Sequence, residues 1–262
     1  MNRILKRLLY LFVAVTVFSC TSEDVEPNND TNDPLGAWDS LSSHTLTYSH
    51  AIGSPVANPL GIATDQENIW LICGAQHDST QQLLYYNPET YSTIKQITLD
   101  GLLEQQGDWV GGLTYFNGYL WVTVSGQTNK VVKIDTAHGD IIQTWSGPQT
   151  GGPADLAYSD EREIFFMSTG YNQIYTIHTV SGGSDYFFKI PTDSRNRGTA
   201  IKGDEIWVGD LFFNYVYIFD IHTGDYLGCI PDALQKKGNM CFYKDQLAVV
   251  DESGVRFYDV TP

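Results

Sequence analysis

Eight side chains stand where this sequence could do chemistry: His77, Asp108, Trp109, Asp155, Arg195, Arg197, Asp210 and Asp251. The acids Asp155, Asp210 and Asp251 are hard oxygen donors of the kind a cation takes, but no compact calcium loop surrounds them, so no metal or other cofactor is assigned. Arg195 and Arg197 form a pair able to grip a carboxylate through forked hydrogen bonds. Trp109, beside Asp108, offers a face for a sugar or an aromatic ring. His77 next to Asp78 has the makings of a base held by a carboxylate. No serine or cysteine motif accompanies it, so no catalytic residue is named.

The elements that must position these groups are short strands. From Gly112 to Trp145 the chain reads as four strands in series, rich in β-branched and aromatic residues and separated by turn residues. Asn117-Gly118 suits a tight hairpin, and Asp135 to Asp140 a longer turn ending in a left-handed glycine, Gly139. The unit repeats. Its second strand carries Trp70, Trp121, Phe165, Trp207 and Ala248 in turn, about 40 to 50 residues apart. Each follows an inner strand that opens on Gly61, Gly112, Asp155, Gly198 or Asn239, and small residues there let neighbouring units approach the axis. Third strands follow at 83–86, 131–135, 174–178, 216–220 and 255–259.

This pattern predicts an all-β fold, a five-bladed β-propeller of four-stranded antiparallel blades. The fifth unit has too few residues left for an outer strand, whereas Ser43 to Tyr48 is a strand without a unit. An N-terminal strand closing the last blade accounts for both ends and leaves no bare edge. Six blades is the alternative count. The eight residues named above then fall on loops at one channel face, where the outer-to-inner connections and the second-to-third turns converge. Asn129, Asn172 and Asn214, each just before a third strand, read as turn devices on that face.

The segment 1–19 has a basic start and an apolar run, as a signal peptide does. It resembles the bacterial lipoprotein signal, which implies lipidation at Cys20. The acidic stretch 20–36 is a spacer too polar to order itself, and 37–262 is the propeller domain. The protein is therefore expected to be exported and anchored to a membrane through the Cys20 lipid. The resemblance to bacterial surface lipoproteins, carried by Thr21 to Asp24, implies the outer membrane, with the side of that membrane left open. A net charge of −16 excludes a phosphate-backbone partner, so no nucleic acid is expected. Cys73, Cys229 and Cys241 fit no zinc spacing and read as buried thiols.

The run Gly112-Leu113-Thr114, Leu120-Trp121-Val122, Ser125-Gly126, Lys133-Ile134-Asp135 and Gly139-Asp140 resembles the repeats of NHL, YVTN and strictosidine-synthase-like propellers, and of the five-bladed glutamine cyclotransferases. The last family carries an acid implicated in catalysis before a Gly-Ile/Leu-Thr inner strand. Here Gly111 stands in its place. Two functions follow as expectations: a module binding a small molecule, glycan or protein at the channel face, or a cyclotransferase-like or other propeller enzyme working there.

Overall fold

A strand buried on one face alternates apolar with polar; a strand buried on both is apolar throughout. Ile69–Cys73 is buried at every position, and so are nearly all residues of Tyr119–Ser125. Ser92–Asp100 and Ser184–Lys189 are mostly exposed. Inner layers and an outer layer are thus already distinguished along each repeat. The computed structural model describes residues 40–54, 59–74, 80–149, 151–190, 196–210, 214–231, 233–234 and 238–262.

Strand β1 (Thr45–Gly53) precedes the first blade, β2 (Pro59–Thr64), β3 (Ile69–Cys73), β4 (Thr80–Asn87) and β5 (Ser92–Asp100). The second blade comprises β6 (Trp109–Phe116), β7 (Tyr119–Ser125), β8 (Lys130–Asp135) and β9 (Ile141–Ser146). The third comprises β10 (Pro153–Ser159), β11 (Ile164–Thr169), β12 (Gln173–His178) and β13 (Ser184–Lys189). The fourth comprises β14 (Asn196–Lys202), β15 (Glu205–Asp210), β16 (Val216–Asp220) and β17 (Tyr226–Ile230). The fifth has β18 (Met240–Tyr243), β19 (Gln246–Asp251) and β20 (Gly254–Thr261), and β1 supplies its outer strand. All pairings within the blades are antiparallel. Inner strands touch in the order β2, β6, β10, β14, β18 and back to β2, so the ring closes. It is a five-bladed β-propeller, with no helix among the described residues.

The seam forms as the sequence predicts and runs longer. Leu46 pairs with Val260, and the pairing continues to Gly53 opposite Gly254. His50 stacks on Phe257 at 4.6 Å, and Ile52 is buried between the fifth and first blades. Upstream, Ser42 N donates to Cys229 O, and Cys229 N to Ser40 O, tying the segment to β17 as well.

The core is divided among the blade interfaces. One apolar cluster lies between each consecutive pair; that between the second and third blades holds Trp121, Trp145, Phe165 and Leu156. A side chain at either blade face therefore contributes to holding two blades together, and burying one of this size contributes about 2–3 kcal/mol. The predicted turns are present: Asn117 and Gly118 have φ of 51° and 80°, as a two-residue type I′ hairpin requires, and Gly139 lies at 86°.

Candidate functional site

The described acids of the loop face, Asp108, Asp210 and Asp251, are buried. Asp108 is fully buried. Its Oδ1 accepts from the backbone N–H of Gln127 and Thr128, and its Oδ2 from Gln105 N and, at 2.5 Å, Thr128 Oγ1. Burial pushes this carboxyl up, but the hydrogen bonds from Thr128, Gln105 and Gln127 outweigh it and leave the pKa below the ordinary carboxylate value. Asp108 thus clamps the loop entering β6 to the turn after β7. Asp251 serves its own turn in the same way, accepting from Ser253, Gly254 and the Arg256 guanidinium. Asp210 is buried at the end of β15, with its backbone N–H donating to Tyr215 O. Trp109 is half-buried at the start of β6, opposite Ser125.

His77, Arg195 and Cys20 lie outside the described residues, and for Arg197 the description extends only to its place on β14. Asn172 and Asn214 adopt left-handed φ of 60° and 61°, the turn device expected of them. Asn129 works differently: its Oδ1 accepts from Gly126 N and its Nδ2 donates to Pro148 O. Asp155, Asp210 and Asp251, weighed in the sequence as oxygen donors and assigned no metal, do not form a group close enough to share an ion. Among the described residues, the carboxylate and imidazole groups close enough to share an ion are Asp135, His138 and Asp140, and Glu161, Asp204 and His222.

Asp155 has a different place, on the axis itself. In four blades the pairing of the first two strands slips at a bulge near the start of the inner strand. A bulge re-aims the residue beside it, and in the third blade that residue is Asp155. Its Oδ1 accepts from Leu156 N at 2.8 Å and its Oδ2 from Thr199 N of the next blade at 2.7 Å. Across the ring, Asn239 Nδ2 donates to Gly111 O at 2.6 Å and to Ala154 O at 3.3 Å. Gly112 makes the room: a Cβ there would run into the Asp155 carboxylate and the Asn239 amide. The aligned inner-strand openings, three glycines with one Asp and one Asn, thus form a polar plug joining four blades. Burial raises the Asp155 carboxyl to about 7 against hydrogen bonds from Asn239, Thr199, Leu156 and Met240 that favour its charge.

The open space lies at the opposite end of the inner strands. A cavity of about 500 Å³ is lined by the inner strands of all five blades and by the hairpins that follow them in the first four. Two positions beyond the plug the inner strands carry Ala63, Thr114, Ala157, Ala200 and Cys241, side chains too small to fill the axis. Larger groups follow nearer the hairpins, among them Tyr115, Tyr158 and Phe242. Phe116 stacks on Tyr158 with ring centres 3.7 Å apart. At the mouth stand Asn117, Asp160 and Glu161, all exposed. Asp65 is fixed there by Tyr85, whose hydroxyl donates to it at 2.5 Å. Cys241, expected to be a buried thiol, is half-buried in the cavity wall, and desolvation, followed by the charge of Asp155, pushes its thiol pKa far up.

Sequence reasoning placed the candidate site on the loop face and did not name these hairpin residues. The available signal was the same alignment of inner strands: small side chains recur at its third position, and polar ones break the glycines at its first.

No family model and no curated protein matches the chain. Among solved structures, glutaminyl cyclase from Myxococcus xanthus is similar with a TM-score of 0.64 at 13% identity, over 85% of this chain and 100% of that one. Virginiamycin B lyase from Staphylococcus aureus is similar with a TM-score of 0.53 at 20% identity, over 80% of this chain and 68% of that one. Likenesses at such identities establish architecture alone: the protein is a five-bladed propeller similar in fold to glutaminyl cyclase.

Proposed function

We propose that the protein is an exported, lipid-anchored binding module that holds a small ligand in the hairpin-face cavity of its channel. The observation that carries this reading is the cavity itself, a concave space of about 500 Å³ lined by every blade, with aromatic walls and a few polar groups. Pockets for small molecules have this size and make-up. In the full chain, Thr114→Trp is expected to fill the space, since Thr114 is a half-buried wall residue. A thermal-shift screen of glycans, amines and organic acids should find compounds that raise the midpoint of the native protein by a few degrees but leave that of the variant unchanged. Equal shifts in both would place binding elsewhere and refute the cavity. The anchor is tested separately: palmitate labelling in a bacterial host should be lost in Cys20→Ala, and labelling that persists would rule out this lipidation site.

A second reading, an enzyme of the glutaminyl-cyclase type, is supported by the likeness of fold to glutaminyl cyclase, with the buried axial Asp155, its pKa raised to about 7, as the carboxyl to test. It requires ammonia release from a peptide with N-terminal glutamine, at a rate that falls at least a hundredfold in Asp155→Asn. No release from the native chain, or equal release from the variant, excludes this role.

A further inference from the structure

We infer that the ligand of this cavity carries a positive charge, as an organic amine or quaternary ammonium group does; the inference rests on the cavity being the binding site. Three acidic residues, Asp65, Asp160 and Glu161, contribute to the lining, and among the described residues no lysine, arginine or histidine does. The nearest cations in sequence stand outside the lining. Lys202 packs its ammonium behind the wall, 5.6 Å from the ring centre of the wall residue Phe242 and 6.0 Å from that of Trp207. Arg162 donates to Ile221 O at 2.6 Å and lies over Phe166 and Phe187. Lys244 is paired with Glu89 at 2.5 Å.

The acids at the mouth are in excess of the available counter-charge. Glu161 sits so close to Asp204 of the neighbouring hairpin that its pKa is raised, and His222, 3.4 Å from Glu161 and 3.6 Å from Asp204, offsets this only in part. A cation entering the mouth relieves that repulsion, whereas an anion adds to it. Deeper in, the walls include the aromatic side chains Tyr115, Phe116 and Tyr158. Ring faces carry negative potential and attract ammonium groups, most strongly where water is thinned out. Carboxylates at the rim and rings behind them are the two devices by which proteins bind such cations, and here both line one space. An anionic ligand would find neither a charged donor in the lining nor a neutral rim.

The inference is tested on the full chain with three probes of nearly one shape: phenethylamine, 2-phenylethanol and phenylacetate, followed by isothermal titration at low and moderate salt. Phenethylamine is expected to bind at least tenfold more tightly than the alcohol, and phenylacetate not at all. The double variant Asp160→Asn/Glu161→Gln changes only exposed side chains and should lower amine affinity about tenfold while leaving the alcohol unaffected. Binding of the alcohol or the acid as tight as that of the amine, lost in Thr114→Trp, would overturn the charge assignment and leave the cavity standing. Amine binding untouched by Thr114→Trp would overturn both. Should that variant fail to fold, as far-UV circular dichroism would show, the charge pair decides: unchanged amine affinity there refutes the inference, and so does absence of amine binding at millimolar concentration.

Discussion

A chain that begins at Ser54 is expected to lose its fold. Removing the first 53 residues takes away β1, and with it the outer strand of the fifth blade from Thr45 opposite Thr261 to Gly53 opposite Gly254. Strand β20 would become an open edge in a protein that otherwise buries it, and open edges recruit other chains. The loss is also energetic. Each ladder hydrogen bond contributes about 1 kcal/mol net, and burial of Ile52 about 2–3 kcal/mol more. Side-chain ties go too, among them the pairing of Thr45 with Thr261 at 2.6 Å and of His44 with Glu205 at 2.9 Å. Together these rival the whole stability of an ordinary domain, about 5–15 kcal/mol. Size-exclusion chromatography should show aggregates, and near-ultraviolet circular dichroism should lose its aromatic signal. A peptide spanning 40–54, added in excess, should restore part of that signal by completing the blade in trans. A truncated chain that stays monomeric and melts at the native temperature would show that the seam contributes little.

The seam was legible in the sequence because it follows from counting: a last unit with no outer strand and a first strand with no unit. The blades were legible because one physical demand, a strand buried on both faces, repeats along the chain as Trp70, Trp121, Phe165 and Trp207. The hairpin-face cavity was not legible for a different reason. Asp108 and Asp251 look like free acids in a sequence, since the groups that satisfy them are largely backbone N–H donors, identical in every residue. Which end of the channel is open depends on whether side chains from different blades meet on the axis. Asp155 and Asn239 are 84 residues apart in sequence, yet they fill the same space because Gly112 leaves it empty. The spacing of each residue within its own repeat carries no record of that encounter. Aligning the repeats and comparing side-chain volumes position by position recovers part of it.

The second large effect belongs to the plug. Asp155→Ala is expected to destabilise the protein by about 3–5 kcal/mol, because it strips an acceptor from buried donors on two blades and leaves a void among them. Leu156 N and Thr199 N lose their side-chain acceptor, and Thr199 is the first link from the third blade to the fourth. The pH dependence distinguishes this from simple loss of packing. The Asp155 pKa in the folded state, about 7, lies above the ordinary value of 3.8. A folded pKa raised in this way means that the folded state binds the proton more tightly than the unfolded chain. The stability it contributes is present in full below about pH 4 and is lost as pH rises through about 7. Urea unfolding of the native protein should therefore show stability falling across this window by up to about 1.4 kcal/mol per pH unit from this group alone. Histidines also titrate here, but they are common to both proteins, so the difference between native and variant isolates Asp155. That difference should shrink as pH rises from 5 to 8, since the native protein alone carries the burden of a buried charge at the upper end. A constant difference over this range would mean that Asp155 does not change charge there, and the plug would then be an ionised clamp like Asp108 and no candidate for proton exchange.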